Sequence, residues 1–199
     1  MIGDAAIHGT SPDPVPVLLV PGLGGSGADH WQAVWAATLS NAHLVKQRSW
    51  DQPDPQSWIA ALSDAVDELP GAIVVAHSLG CMVVAHLVNG RPSAPISGAL
   101  LVCPPDVESE KHTPSEVRCF EPIPLPRFPF PAIVVGSESD PFVTVARARG
   151  FADRWGAQFI NVGRCGHINT VSGHGPWPEG LSLLRELKAE VRDGHRRCG

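Results

Sequence analysis

The sequence has no long run of basic residues, no long apolar segment near its start and no CxxC pair of cysteines. A surface that binds nucleic acid needs clustered Lys or Arg, and the net charge of −5 argues against one. The first sixteen residues are polar and contain three prolines, which predicts neither a signal peptide nor a transmembrane span. We therefore expect no nucleic-acid partner and no membrane partner.

The five cysteines are scattered along the chain without the spacing of metal ligands. Such a set fits thiols that remain reduced and serve as small apolar residues. We expect a cytoplasmic protein with no metal and no cofactor.

A chain of 199 residues is long enough for one sizeable core but short for two domains. We predict a flexible leader over residues 1–16, one folded domain over 17–192 and a basic tail over 193–199. Nothing in the pattern sets an oligomeric state.

Apolar strand-like runs alternate with helical periodicity through most of the chain, which predicts one α/β domain. Its central sheet should be mainly parallel, with about six strands and helices on both faces. The predicted strands cover residues 17–20, 43–50, 72–76, 98–102, 132–136 and 158–162. The predicted helices begin after Asp29 as N-cap, after Asp54 with Pro55 at the first helical position, and near residues 79, 143 and 178, the last ending at about Val191.

Ser78 stands between a β-branched strand and a helical run, with the small residues Ala76 and Gly80 on either side. This pattern is typical of a nucleophile elbow, in which a sharp turn raises a serine hydroxyl at a helix N-terminus. The alternative for a serine at this junction is an ordinary helix cap.

The loop after the first strand is rich in glycine, at residues 22, 24, 25 and 27. It lacks the complete GxGxxG spacing and the Walker lysine, so a phosphate site is the weaker interpretation. In a hydrolase, such a loop brings a backbone N–H to a developing oxyanion. We predict an oxyanion hole from the amides of Leu23 and Leu79. His30 follows the loop and could line the pocket.

Two further loops at strand ends carry the remaining candidates. Asp140 follows the fifth strand, where a triad acid is expected, although it could instead cap the next helix. Glu138 and Asp106 are the alternative acids. His167 follows the last strand, so the chain order is serine, acid, histidine, as in α/β-hydrolases.

Residues 104–131 are rich in proline and lack a clear periodicity, which predicts either a surface excursion or a short cap over the pocket. Phe120, Phe128 and Phe130 could roof an acyl site or anchor this segment.

Several linked motifs together resemble the small serine hydrolases of the retinoblastoma-binding protein 9 type. They are the stretches 20–26 with His30 and Trp31, 50–53, 75–81, 98–106, 139–141, 166–169 and 172–177. The resemblance spans about residues 17 to 187. It implies a compact single-domain α/β-hydrolase fold without a large lid, with Ser78 as nucleophile, His167 as base and Asp140 as acid.

These predictions converge on a serine hydrolase that cleaves small ester, thioester or amide bonds through an acyl-enzyme. The partner is then a small acyl substrate, and we expect Gly22, His30, Phe142 and Trp177 to contact it. The alternative is a non-catalytic module that binds a ligand or a protein on a hydrolase fold. Chemistry on a C–halogen bond is disfavoured, because such enzymes use a carboxylate nucleophile.

Overall fold

The computed structural model describes residues 15–198 of the chain, without the side chains of residues 195, 197 and 198. The predicted leader falls mainly on residues 1–14, which lie outside the described residues. The leader and tail boundaries remain predictions.

In residues 15–198, six strands and five α-helices alternate, except that the segment between β4 and β5 contains only a short 3-10 helix. The strands are β1 (Val17–Val20), β2 (Ala42–Leu44), β3 (Ala72–His77), β4 (Ile96–Val102), β5 (Ala132–Gly136) and β6 (Gln158–Asn161). The helices are α1 (Trp31–Thr38), α2 (Pro55–Glu68), α3 (Leu79–Gly90), α4 (Val145–Trp155) and α5 (Pro178–Cys198). Short 3-10 helices occupy Ser115–Phe120 and Thr170–Ser172.

All six strands are parallel, in the order β2-β1-β3-β4-β5-β6. Side chains alternate between the two faces, so Leu18 and Val74 join one buried cluster while Leu19 and Val75 join the other. The first face is covered by α2, α3 and α4, and the second by α1 and α5. This architecture confirms the predicted α/β-hydrolase fold.

The strand order reverses between β1 and β3. In open α/β sheets, ligands bind outside the carboxyl ends of the strands at such a point. The glycine-rich loop leaves β1 there, and Ser78 follows β3. Topology alone therefore brings these two parts of the chain to one crevice.

Three local features differ most from the sequence prediction. Strand β2 is only three residues long, and α5 runs on to Cys198 rather than ending near Val191. Helix α1 is capped by His30, not Asp29, because the imidazole accepts the Gln32 amide. The predicted Asp54 cap of α2 is confirmed, with Oδ1 accepting from the Ser57 N–H at 2.8 Å.

Within residues 15–198, no helix combines the length and apolar character that crossing a membrane requires.

Candidate active site

Ser78 has a backbone conformation that a non-glycine residue rarely adopts, with φ 53° and ψ −127°. Its N–H donates to the Val102 carbonyl of β4 at 2.9 Å, which fixes the turn against the sheet. A Cβ on Gly80 would lie 2.3 Å from the Val20 carbonyl oxygen, and one on Gly22 would lie 2.7 Å from the Ser78 Cβ. The strained turn is therefore held by close backbone packing that only glycine permits at these two positions.

Ser78 occupies the N-cap position of α3, but its side chain makes no capping hydrogen bond. The helix-cap alternative considered from the sequence would require such a bond. The hydroxyl instead lines a cavity at the carboxyl end of the sheet.

Asp140 and His167 form a buried pair. His167 Nδ1 lies 2.9 Å from both carboxylate oxygens of Asp140, and the Asp140 side chain is fully shielded from solvent. The Phe142 N–H also donates to Asp140 Oδ1 at 2.9 Å. Because a carboxylate accepts, the His167 proton sits on Nδ1, which leaves Nε2 as the basic nitrogen of the neutral ring.

The two alternative acids are engaged elsewhere. Glu138 accepts the Asn161 side-chain amide at 2.9 Å, and Asp106 pairs with Arg147 at 3.2 Å. Helix α4 is capped by Thr144, so Asp140 does not serve as its cap. Of the three carboxylates considered, Asp140 is the one that contacts His167.

Two serine hydroxyls tie the acid loop to the histidine loop. Ser137 Oγ accepts the Cys165 N–H at 3.0 Å, and Ser139 Oγ accepts the Gly166 N–H at 2.9 Å. On the other side, the Trp31 indole donates to the Ile168 carbonyl at 2.9 Å. His167 is therefore held by its neighbours in sequence on both sides.

The cavity measures about 230 Å³. This is below the range of about 300–1,000 Å³ usual for drug-sized ligands. No Asp, Glu, Lys or Arg of the described chain lines it. Its lining residues are Leu23, Gly25, His30, His77, Ser78, Leu79, Pro105, Thr113, Pro114, Val117, Phe142, His167 and Asn169.

Ser78 and His167 both line this cavity. Among the hydrogen bonds of the described residues, none joins these two side chains. Catalytic hydrogen bonds are often long in unliganded enzymes and tighten when substrate binds.

The predicted oxyanion donors Leu23 and Leu79 also line the cavity. Leu79 is the first residue of α3, where backbone N–H groups have no partner within the helix. In the described part of the chain, neither amide is hydrogen-bonded to another protein group. Both amides are thus available to a ligand.

The four residues predicted to bind substrate lie in different positions. His30 and Phe142 line the cavity, and the Phe142 ring meets His167 edge-on at 4.6 Å between centroids. Gly22 is not among the lining residues, and it packs so close to Ser78 that a Cβ on it would lie 2.7 Å from the Ser78 Cβ. Trp177 does not line the cavity: it is buried against α1, stacked on Trp35 at 5.9 Å. Its prediction as a substrate contact is wrong, because it belongs to the core beneath α1 and α5.

The segment 104–131 supplies one wall of the cavity through Pro105, Thr113, Pro114 and Val117. None of its three phenylalanines lines the cavity. Phe120 packs edge-on against Trp58, and Phe128 stacks on Trp155. The aromatic residues anchor the segment, and Pro105, Thr113, Pro114 and Val117 line the cavity.

Sequence reasoning missed His77. Its ring is fully buried between His30 and His167, with centroids 4.9 and 4.8 Å away, and Nε2 lies 2.9 Å from the His167 carbonyl oxygen. A carbonyl oxygen only accepts, so His77 must carry its proton on Nε2. Burial, reinforced by His167 and His30, holds the pKa of His77 well below its usual value. Side chains alternate between the two faces along β3, so residues 73, 75 and 77 lie on the same face. That pattern could have predicted that His77 is buried.

One group of the described residues has the composition of a metal site. Cys103, Asp140 and His167 offer ligand atoms that all lie within 4.8 Å of one another. Two of these three residues form the Asp140–His167 pair.

Comparisons with known proteins identify the family and the fold. The family model described as serine hydrolase matches residues 17–186. A YdeN-like hydrolase from Pectobacterium atrosepticum has a similar structure, with TM-score 0.79 and 29% identity over 89% of this chain and 92% of its own.

Two more distant structures share the fold. The B. subtilis ydeN gene product has TM-score 0.70 and 19% identity, covering 88% of this chain and 99% of its own. The esterase RhEst1 from Rhodococcus sp. has TM-score 0.65 and 14% identity, covering 89% and 91%. No curated protein matches the chain significantly. The matched family model covers the whole sheet and the loops at its carboxyl edge, and the chain belongs to the serine hydrolase family.

Proposed function

We propose that the protein hydrolyses small, uncharged carboxylic esters or thioesters by a Ser78–His167–Asp140 triad. The observation that carries the proposal is the buried Asp140–His167 pair, which opens on the same cavity as the strained Ser78. Within the serine hydrolase family, the sequence motifs favour the retinoblastoma-binding protein 9 type. The four described cysteines are free thiols, which supports a cytoplasmic location.

The reaction proceeds in two steps. His167 Nε2 takes the Ser78 proton as Oγ bonds to the substrate carbonyl carbon, while the Leu23 and Leu79 amides stabilise the oxyanion. The tetrahedral intermediate collapses with loss of the alcohol or thiol, which receives the proton from His167. Water then attacks the acyl-enzyme by the same route, releasing the acid and restoring Ser78. Asp140 keeps the His167 proton on Nδ1 and stabilises the imidazolium.

The cavity sets the proposed substrate class. No charged side chain among the described residues lines it, so neither an ammonium nor a carboxylate group of a substrate would find a counter-ion. Burying an unpaired charge is costly, which disfavours free amino-acid esters. Leu23, Leu79 and Val117 supply an apolar lining suited to a short acyl chain.

Fluorophosphonate labelling followed by intact-mass analysis tests the proposal. Wild type should gain one adduct with loss of fluoride, and Ser78→Ala and His167→Ala should gain none. Ser182→Ala removes an exposed serine of α5 and should label like wild type. Hydrolysis of p-nitrophenyl acetate and butyrate should fall at least about a thousandfold in Ser78→Ala.

Two outcomes would count against the proposal. No adduct on folded wild type would favour the non-catalytic binding module. Faster hydrolysis of alanine p-nitrophenyl ester than of the butyrate would contradict the uncharged substrate class.

A further inference from the structure

The His30 imidazole is held in a fixed orientation at the start of α1. Its Nδ1 accepts the Gln32 N–H at 3.2 Å, which makes the ring the N-cap of the helix. The ring also packs against His77 and Trp31, with centroids 4.9 and 5.3 Å away. Rotation of this ring would break the cap and the packing together.

Gln32 is itself fixed in the core. Its Nε2 donates to the Val20 and Val75 carbonyls at 3.2 and 3.1 Å, and its Oε1 accepts from Ser26 Oγ at 2.8 Å. The helix start is thus bonded to β1, β3 and the glycine-rich loop. His30 is preorganised by the sheet and needs no ligand to order it.

The tautomer of His30 follows from the cap. Because Nδ1 accepts, the proton of the neutral ring is on Nε2. Burial, together with the nearby His167, lowers the pKa of His30 to about 4, so the ring is uncharged at neutral pH. No group of residues 15–198 accepts from Nε2, and the ring lines the cavity beside Ser78.

Apart from Ser78 and His167, the other polar side chains of the cavity are already engaged, with one exception. His77 donates to the His167 carbonyl, and Thr113 Oγ donates to the Asp106 and Ser109 carbonyls at 3.0 and 2.9 Å. The exception is Asn169, which lies on the same loop as His167. Its Oδ1 accepts the Ser172 N–H, but its side-chain nitrogen donates to no group of the described residues. His30 therefore offers an uncharged N–H whose direction is fixed.

We propose that His30 is a specificity-determining residue that donates its Nε2–H to a substrate oxygen other than the scissile carbonyl. The preferred acyl groups then carry a keto, hydroxyl or alkoxy oxygen close to the ester carbonyl. A site built to donate to an oxygen discriminates against the analogue that lacks it. This inference rests on the proposed hydrolase function and narrows its substrate class.

Two esters of nearly identical shape test the proposal. p-Nitrophenyl methoxyacetate and p-nitrophenyl butyrate differ in one position of the acyl chain, an oxygen in place of a methylene group. The methoxy ester is intrinsically more reactive, so the informative quantity is the ratio of the two kcat/KM values in a variant relative to wild type. Intrinsic reactivity cancels in that comparison.

The variant is His30→Asn, since asparagine is a good N-cap and keeps an acceptor for the Gln32 N–H, while its shorter side chain cannot place an N–H where the imidazole Nε2 stood. The methoxyacetate-to-butyrate ratio should fall about five- to tenfold, as expected for one neutral hydrogen bond. Loss of the ring packing against His77 and Trp31 should lower the Tm and the kcat/KM for both esters, and the ratio of the two esters removes that common effect. His30→Ser provides a second capping variant with no distal donor, and it should give the same change.

An unchanged ratio in both folded variants, with both esters hydrolysed, would overturn the role of His30 and leave the proposed function standing. Failure of wild type to hydrolyse either ester or to take the fluorophosphonate would overturn the proposed function, and this inference with it.

Discussion

The two sides of the cavity are built in different ways. On one side, Ser78, Asp140 and His167 each follow a strand, with His30 capping the first helix; we call this the strand-end side. On the other, Pro105, Thr113, Pro114 and Val117 come from the irregular segment 104–131, which we call the excursion wall. The first is positioned by the sheet, and the second by loop contacts.

The bonds that hold each side explain the contrast. The strand-end side is held by the hydrogen bonds between parallel strands and by glycines at positions where a Cβ would collide with neighbouring atoms. It also contains the strained backbone of Ser78. The excursion wall is tied by side chains that reach single backbone groups, such as His86 to the Phe120 carbonyl and Trp155 to the Pro124 carbonyl, each at 2.9 Å. Changes to the triad residues or to the glycines beside Ser78 should abolish chemistry or folding. Changes on the excursion wall should alter substrate choice.

The largest effect is expected for Asp140→Asn. The amide can no longer hold the His167 proton on Nδ1, so kcat should drop about 10⁴-fold with KM nearly unchanged. Steady-state kinetics with p-nitrophenyl butyrate checks this. Glu138→Gln keeps an acceptor for Asn161 and should behave like wild type; equal losses in the two variants would contradict the assigned roles.

Gly80→Ala should break the fold of the strand-end side. The new methyl would lie 2.3 Å from the Val20 carbonyl oxygen, and we expect a loss of about 3 kcal/mol or more in the free energy of unfolding. Gly90→Ala is the matched control, because it lies in the same helix with open space around it. Urea unfolding should show the control unchanged or slightly stabilised. A small loss of unfolding free energy in Gly80→Ala would mean that the turn at Ser78 can shift to make room for the methyl group.

Acid should destabilise the strand-end side through its buried histidines. The pKa values of His30 and His77 in the folded protein lie below the usual value of 6.5, so the unfolded chain binds more protons as the pH falls below it. The free energy of unfolding should therefore decrease from pH 6.5 towards pH 4. Thermal unfolding across this range checks the sign, and His30→Asn should flatten the slope. A Tm that rises on acidification would contradict this prediction.

Val117→Ala tests the excursion wall and should have the smallest effect. The substitution removes two methyl groups from the wall. KM for p-nitrophenyl butyrate should rise by about fourfold for each of these methyl groups that contacts the substrate. The space left should shift the preference towards longer acyl chains. We expect kcat to stay within about twofold, since the triad is untouched. A kcat loss as large as that of a triad variant would remove the distinction between the two sides.

Local patterns were enough to predict most of the fold. The apolar run before Ser78 and the Asp54–Pro55 pair each carry their own signal, and the structure contains β3 and the capped α2 as predicted. Strand β2 was overestimated because only three of its residues pair with β1. His30 was missed as a cap because imidazole is not among the usual capping groups.

Long-range packing accounts for the remaining differences. Trp177 was predicted to contact the substrate, but its ring packs with Trp35 across a large separation in sequence. The His77 bond to the His167 carbonyl likewise joins residues 90 positions apart. Neither the Trp177–Trp35 contact nor the His77–His167 bond can be recognised from residues that are close together in the sequence. The roles of Ser78, Asp140 and His167 remain predictions until the variants are assayed.

The Trp31 indole gives the protein its own optical reporter. Its N–H donates to the carbonyl of Ile168, the residue next to His167, and its ring lies 5.0 Å from the Trp177 ring. Undocking of the histidine loop would break that bond and change the polarity around the indole. Because the chain has six tryptophans, the difference in intrinsic emission or near-ultraviolet circular dichroism between wild type and Trp31→Phe isolates this signal, and it can follow loop docking without an added label.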